Sequence, residues 1–134
     1  MPRKKPFVPE ITQLTPVLMV SDVDKTADFY CDLLGFERGA SVETDGKVTF
    51  LILSNGSAEL MLQSDKSMAG ELPKVFAKRP VATTILYMDV DDVERLYESL
   101  QEKVEILKPL HYADHGQQLF YLRDPNGYVL GFAQ

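Results

Sequence analysis

The sequence predicts an α+β fold of two tandem units, each a strand, a helix and three further strands (βαβββ). Three observations predict it. Apolar residues recur at helical spacing twice, at Val23, Ala27, Tyr30 and Leu34 and again at Val93, Leu96, Tyr97, Leu100 and Val104. Each stripe follows a short run of β-formers and precedes segments punctuated by hairpin signals: Asp45-Gly46, Asn55-Gly56 and Asp124-Pro125-Asn126-Gly127. The copies also match each other. Asp22-Val23-Asp24 through Tyr30 and Leu33 falls on Asp89-Val90-Asp91 through Tyr97 and Leu100 at a spacing of 67. Val20-Ser21-Asp22-Val23 falls on Val90-Asp91-Asp92-Val93 at a spacing of 70, and sequence alone does not choose between the two.

Residues 1–10 hold three prolines and three basic residues and read as an extended arm. Module one spans 11–63. Its first strand is Gln13–Val20, Ser21-Asp22 offers the helix cap, and Gly35 is placed to stop the helix in a left-handed conformation. Strands Phe36–Glu43, Val48–Leu53 and Ala58–Gln63 follow. Residues 64–80 change character, with Ser, Asp, Lys, Gly and two prolines, and read as a linker with one helical turn around Pro73–Ala77. Module two spans 81–134: strand Ala82–Met88, a helix capped by Asp89, Asp91 or Asp92, and strands Val104–Pro109, Gln117–Leu122 and Tyr128–Gln134. The whole chain of 134 residues reads as one domain.

With 45% apolar residues the chain carries enough to build a core, which excludes intrinsic disorder. Its longest apolar runs are four or five residues, against the ~18 of a spanning helix, so no membrane partner is expected. The net charge of −6 argues against nucleic acid, and the basic groups Arg3-Lys4-Lys5 and Lys74, Lys78, Arg79 are small. One cysteine, Cys31, leaves no internal disulfide and no multi-cysteine zinc site. Together with the lack of an apolar segment after the basic start, it predicts a cytoplasmic protein.

Leu18-Met19-Val20-Ser21-Asp22, with Phe29-Tyr30 and Leu34-Gly35-Phe36 behind it, resembles the first module of the vicinal oxygen chelate superfamily. This group includes glyoxalase I, extradiol dioxygenases, fosfomycin-resistance enzymes and bleomycin-resistance proteins. Tyr121-Leu122-Arg123-Asp124-Pro125-Asn126-Gly127-Tyr128 resembles the last hairpin of its second module, so the likeness covers roughly residues 13–134. It implies a curved open mixed sheet around a pocket, with the helices outside.

Enzymes of this superfamily hold a divalent metal with His, Gln and Glu on the first and last strands of each module. The resemblance places those positions at Thr15, Glu59, Ile85 (or Ala82 in the other register) and Gly131. Glu59 alone is a competent ligand, and one carboxylate does not hold a transition metal against water. His111 and His115 are four apart, but Pro109, Asp114 and Gly116 argue against a helix that would join them, so they read as loop residues. No metal and no other cofactor is expected.

What remains is a pocket of side chains. Strand parity puts Met61 and Gln63 on the face of Glu59, and Tyr87 on the face of Ile85. The family's hydrophobic pocket adds Phe50, Ile52, Leu119, Tyr121 and Ala133. The set is apolar and aromatic with a few polar handles, as small-molecule sites are. The resemblance is closest in character to the bleomycin-resistance branch: metal-free sequestration of a small molecule, as a homodimer that also covers open sheet edges. The acidic balance suits a cationic ligand, with Glu59 as its partner. The competing expectation is a metal-dependent lyase, isomerase or dioxygenase with a non-standard ligand set. Cys31 has no histidine near it in sequence and reads as structural.

Overall fold

The computed structural model describes residues 6–78 and 84–134. Module one consists of β1 (Val17–Val20), α1 (Val23–Leu34), β2 (Glu37–Thr44), β3 (Lys47–Asn55) and β4 (Ala58–Ser64). Two short helices follow, α2 (Asp65–Glu71) and α3 (Pro73–Phe76). Module two repeats the order with β5 (Ile85–Asp89), α4 (Val93–Leu100), β6 (Glu105–Tyr112), β7 (Gln118–Arg123) and β8 (Val129–Ala133). The sheets run β1-β4-β3-β2 and β5-β8-β7-β6, each with one parallel pair at the end and antiparallel pairs elsewhere. The fold is therefore α+β with two open mixed sheets, as the repeat predicts.

Local chemistry fixes the elements. Asp22 caps α1 by accepting from the Lys25 backbone N–H at 3.0 Å, and Asp92 caps α4 in the same way through Arg95 at 3.1 Å. Equivalent caps at 22 and 92 select the spacing of 70 over 67. Gly35 ends α1 with φ +72°, where any side chain would be strained. The Asn55 side chain, at the β3–β4 turn, donates to the Leu34 carbonyl at 2.9 Å and satisfies one of the helix's terminal acceptors.

The two module helices pack on the same face of their sheets and share one core. Leu53 and Leu62 meet Val23, Ala27 and Tyr30 of α1 there, while Phe120, Leu122 and Leu130 meet Val93 and Leu100 of α4. Each buried leucine contributes about 1.5–3 kcal/mol. Their strand neighbours Phe50, Ile52, Glu59 and Met61 point the other way and are half-buried. One polar knot ties the modules together. Tyr30 of α1 donates its hydroxyl proton to Asp124 at 2.8 Å, and the other Asp124 oxygen accepts the Asn126 and Tyr128 backbone N–H groups, also at 2.8 Å. Tyr30 is 0% and Asp124 4% exposed. Burial, then the charge and hydrogen bond of Asp124, hold the Tyr30 phenol far above its usual range.

Several boundaries differ from the sequence reading. β1 begins at Val17, because Pro16 has no N–H to give the ladder and contributes only its carbonyl, to Met61 N–H at 2.9 Å. Helix α4 stops at Leu100, so Val104 lies beyond it and joins the core from the loop ahead of β6. The predicted linker contains a helix, α2, capped by Ser64 and anchored by buried Met68. β6 runs through Pro109 to Tyr112, which an edge strand allows. His111 is consequently a strand residue paired with Leu119, not a loop residue, whereas His115 is an exposed turn residue. The start of the predicted strand Ala82–Met88 lies outside the described residues. Asp24 and Asp28 of α1 both meet Arg38 of β2, at 2.9 and 3.1 Å on the surface, an arrangement worth about 0–1 kcal/mol.

Candidate functional site

The sheet faces turned away from α1 and α4 carry the residues singled out from sequence. On sheet one the registers Phe50↔Gln63, Ile52↔Met61 and Ser54↔Glu59 align these side chains on one surface, continued by Val17 and Met19 of β1. Glu59 is half-buried and has no hydrogen-bond or ion-pair partner among the described residues. Gln63 is only 9% exposed. Its amide donates to Ser67 at 3.0 Å and to Glu71 at 3.2 Å, so α2 closes the β1–β4 end of this face and occupies the handle that Gln63 was expected to offer. Glu59, Met61, Ile52 and Phe50 form the part left accessible.

On sheet two, Ile85↔Val129, Tyr87↔Gly131 and Tyr121↔Gly131 set Ile85, Tyr87 and Tyr121 on one surface with Leu119 and Ala133 at its far end. Leu119 and Ala133 are buried, whereas Tyr87 is 47% and Ile85 50% exposed. The Tyr87 hydroxyl donates to the Gln117 side-chain oxygen at 2.9 Å. Partial desolvation, then the nearby Asp89 and Tyr121, push the Tyr87 phenol up. His111 of β6 brings its ring to 6.5 Å from that of Tyr121 at a 34° tilt. Lys108 of β6 is the cross-strand partner of Tyr121.

No hydrogen bond, ion pair or ring contact among the described residues joins the Glu59 face to the Tyr87–Tyr121 face. Five of the eight residues, Phe50, Ile52, Glu59, Met61 and Gln63, lie on the sheet-one face, and three, Tyr87, Leu119 and Tyr121, on the sheet-two face. A cleft of about 660 Å³ lies between the modules, lined by Leu34, Phe36, Leu96 and Phe132, with Asp91 and Asp92 beside α4. Of the residues singled out from sequence it includes only Tyr87. It arises from contacts between modules, which strand parity cannot foresee. Cys31 is half-buried and burial pushes its thiol up, which suits a structural role better than a nucleophilic one. No helix among the described residues is long and apolar enough to cross a membrane.

Residues 11–132 match the sequence profile of the Glyoxalase/Bleomycin resistance protein/Dioxygenase superfamily. The chain belongs to that superfamily. Solved structures of similar fold include TioX from Micromonospora sp. ML1, at 17% identity over 92% of this chain and 98% of that one, with a TM-score of 0.71. A glyoxalase/bleomycin resistance protein/dioxygenase family enzyme from Burkholderia phytofirmans PsJN is 17% identical over 89% and 94%, with a TM-score of 0.75. Lactoylglutathione lyase from Agrobacterium tumefaciens is 18% identical over 93% and 94%, with a TM-score of 0.70. At such identities the likeness speaks for the fold alone. Comparison with curated proteins finds no significant match.

The metal of the superfamily's enzymes does not fit the residues present. Thr15 precedes β1 and its hydroxyl accepts from the Gln13 side chain at 3.1 Å. The spacing of 70 assigns Ile85, a hydrocarbon, to the first-strand position of module two, and Ala82 lies outside the described residues. At Gly131 a Cβ atom would stand 2.8 Å from the Tyr121 ring and 3.5 Å from a methyl of Ile85. The two coordination positions of module two thus come together, and both are filled with apolar matter. Among the described residues no three His, Cys, Asp or Glu side chains are grouped to hold an ion.

Proposed function

We propose that the chain is a small-molecule binding protein that sequesters its ligand without a metal, as a cytoplasmic homodimer. The observation that carries this reading is the filling of the module-two coordination positions by Ile85 and by the Tyr121 ring over Gly131, which leaves Glu59 as the single competent donor. An open surface of Phe50, Ile52 and Met61 with Glu59, which has no partner among the described residues, and a second of Tyr87 and Tyr121, supports binding: apolar area with few polar handles. A homodimer supports the reading further. Among the described residues the outer edges of β1 and β5 have no strand partner, and Val17, Ile85 and Tyr87 are exposed there. A second copy would set a sheet-one face against a sheet-two face and enclose the ligand between them. Like the single unpaired cysteine, the cytoplasmic assignment fits a reducing compartment.

The test is a thermal-shift screen of small organic molecules, cationic ones included, run in EDTA. A ligand at about a hundred times its Kd should add ~2.7 kcal/mol, a rise on the order of 10 °C, and should be recovered unchanged. Turnover of a bound compound, or stabilisation that EDTA abolishes, would instead support the metal-dependent lyase or dioxygenase reading.

A further inference from the structure

We propose that Gly131 is a specificity-determining residue: by lacking a side chain it lets the Tyr121 ring lie across β8, and this ring is the floor on which a flat aromatic ring system stacks. The inference rests on the binding reading above and names the ligand chemistry of the sheet-two face. Gly131 sits between two tyrosines on one surface, cross-strand from Tyr87 on β5 and from Tyr121 on β7. Its missing Cβ would stand 2.8 and 3.1 Å from two Tyr121 ring carbons, both below ordinary van der Waals contact. The ring therefore leans over the glycine toward β5 instead of standing upright from β7. Tyr121 stays half-buried and so is not closed off from solvent.

Neighbouring groups extend the floor. The His111 ring continues it over β6, 6.5 Å away and tilted by only 34°. Tyr87 flanks the other side, its hydroxyl held by Gln117 at 2.9 Å. Ile85 backs the Tyr121 ring, with a methyl 3.5 Å from the place where a Gly131 side chain would start. A coplanar or offset aromatic ring gains from such a surface through its quadrupole, and a saturated ring of the same outline gains only from area. Any side chain at 131 would tilt the Tyr121 ring off the strand and break the floor without removing an aromatic group.

The experiment measures binding of two probes of equal charge, 1-naphthylmethylammonium and its perhydro analogue, by titration calorimetry. The wild type is expected to prefer the aromatic probe about tenfold, a difference of ~1.4 kcal/mol. Gly131→Ala should reduce that preference to less than twofold. Tyr121→Phe should keep the preference, and Tyr121→Leu, which needs no room at 131, should lose it even if Gly131→Ala folds poorly. Equal affinity of the wild type for the two probes overturns the proposal, as does a preference that survives both Gly131→Ala and Tyr121→Leu, or no binding of either probe. None of these outcomes touches the metal-free binding reading, which fails separately if no compound in the broader screen stabilises the protein.

Discussion

Asp124→Ala is expected to destabilise the protein by about 3–5 kcal/mol, because it strands three donors that the carboxylate satisfies, each worth about 1–3 kcal/mol when buried and unpaired. Those donors are the Tyr30 hydroxyl and the Asn126 and Tyr128 backbone N–H groups. Domains of this kind hold only about 5–15 kcal/mol in total, so urea denaturation should show a large loss. Tyr30→Phe should cost less, since it removes one donor and leaves two bonds to the carboxylate. Its signature is in pH. The folded-state pKa of Tyr30 is raised above its unfolded value near 10. Its contribution is therefore complete below pH 10 and is lost as pH rises beyond it, where the unfolded chain sheds a proton that the folded one keeps. The stability difference between wild type and Tyr30→Phe should accordingly be flat from pH 6 to 9 and shrink above pH 10. A difference that grows with alkaline pH would contradict the buried pair.

The second large effect is on assembly. Ile85→Asp places a carboxylate at the exposed rim of β5, which pairs with β8 and with no other strand among the described residues. The fold should survive, because Ile85 is half exposed, but the dimer proposed above should not. Its dissociation constant is expected to rise about a hundredfold, or ~2.7 kcal/mol, the cost typical of removing a central apolar anchor. Sedimentation velocity across a dilution series reads it directly. A wild type that is monomeric at tens of micromolar, or a variant that dimerises equally well, would remove the second copy from the site.

Much of this architecture is legible in the sequence. The helix stripes, the Asp caps and the hairpin dipeptides encode local rules, so both modules and their order could be read from residues alone. Parity was equally readable: Glu59, Met61 and Gln63 do share a face, as do Tyr87 and Ile85. What escaped depends on contacts between segments. Seven residues with one buried methionine and an internal glycine show no helical period, so α2 was invisible, and with it the commitment of Gln63 to Ser67 and Glu71. Pro109 disguised an edge strand and hid the approach of His111 to Tyr121. The leaning of Tyr121 over Gly131 belongs to the same class. Sequence shows a glycine at a position where the family's enzymes place a ligand, but only the packing shows that its space is taken.

Binding without a metal is open to a direct test: elemental analysis of wild type and Glu59→Gln, each purified from medium replete in zinc, nickel, manganese and iron. Divalent metal is expected far below one ion per chain in both proteins. Stoichiometric metal in the wild type that disappears in Glu59→Gln would contradict it.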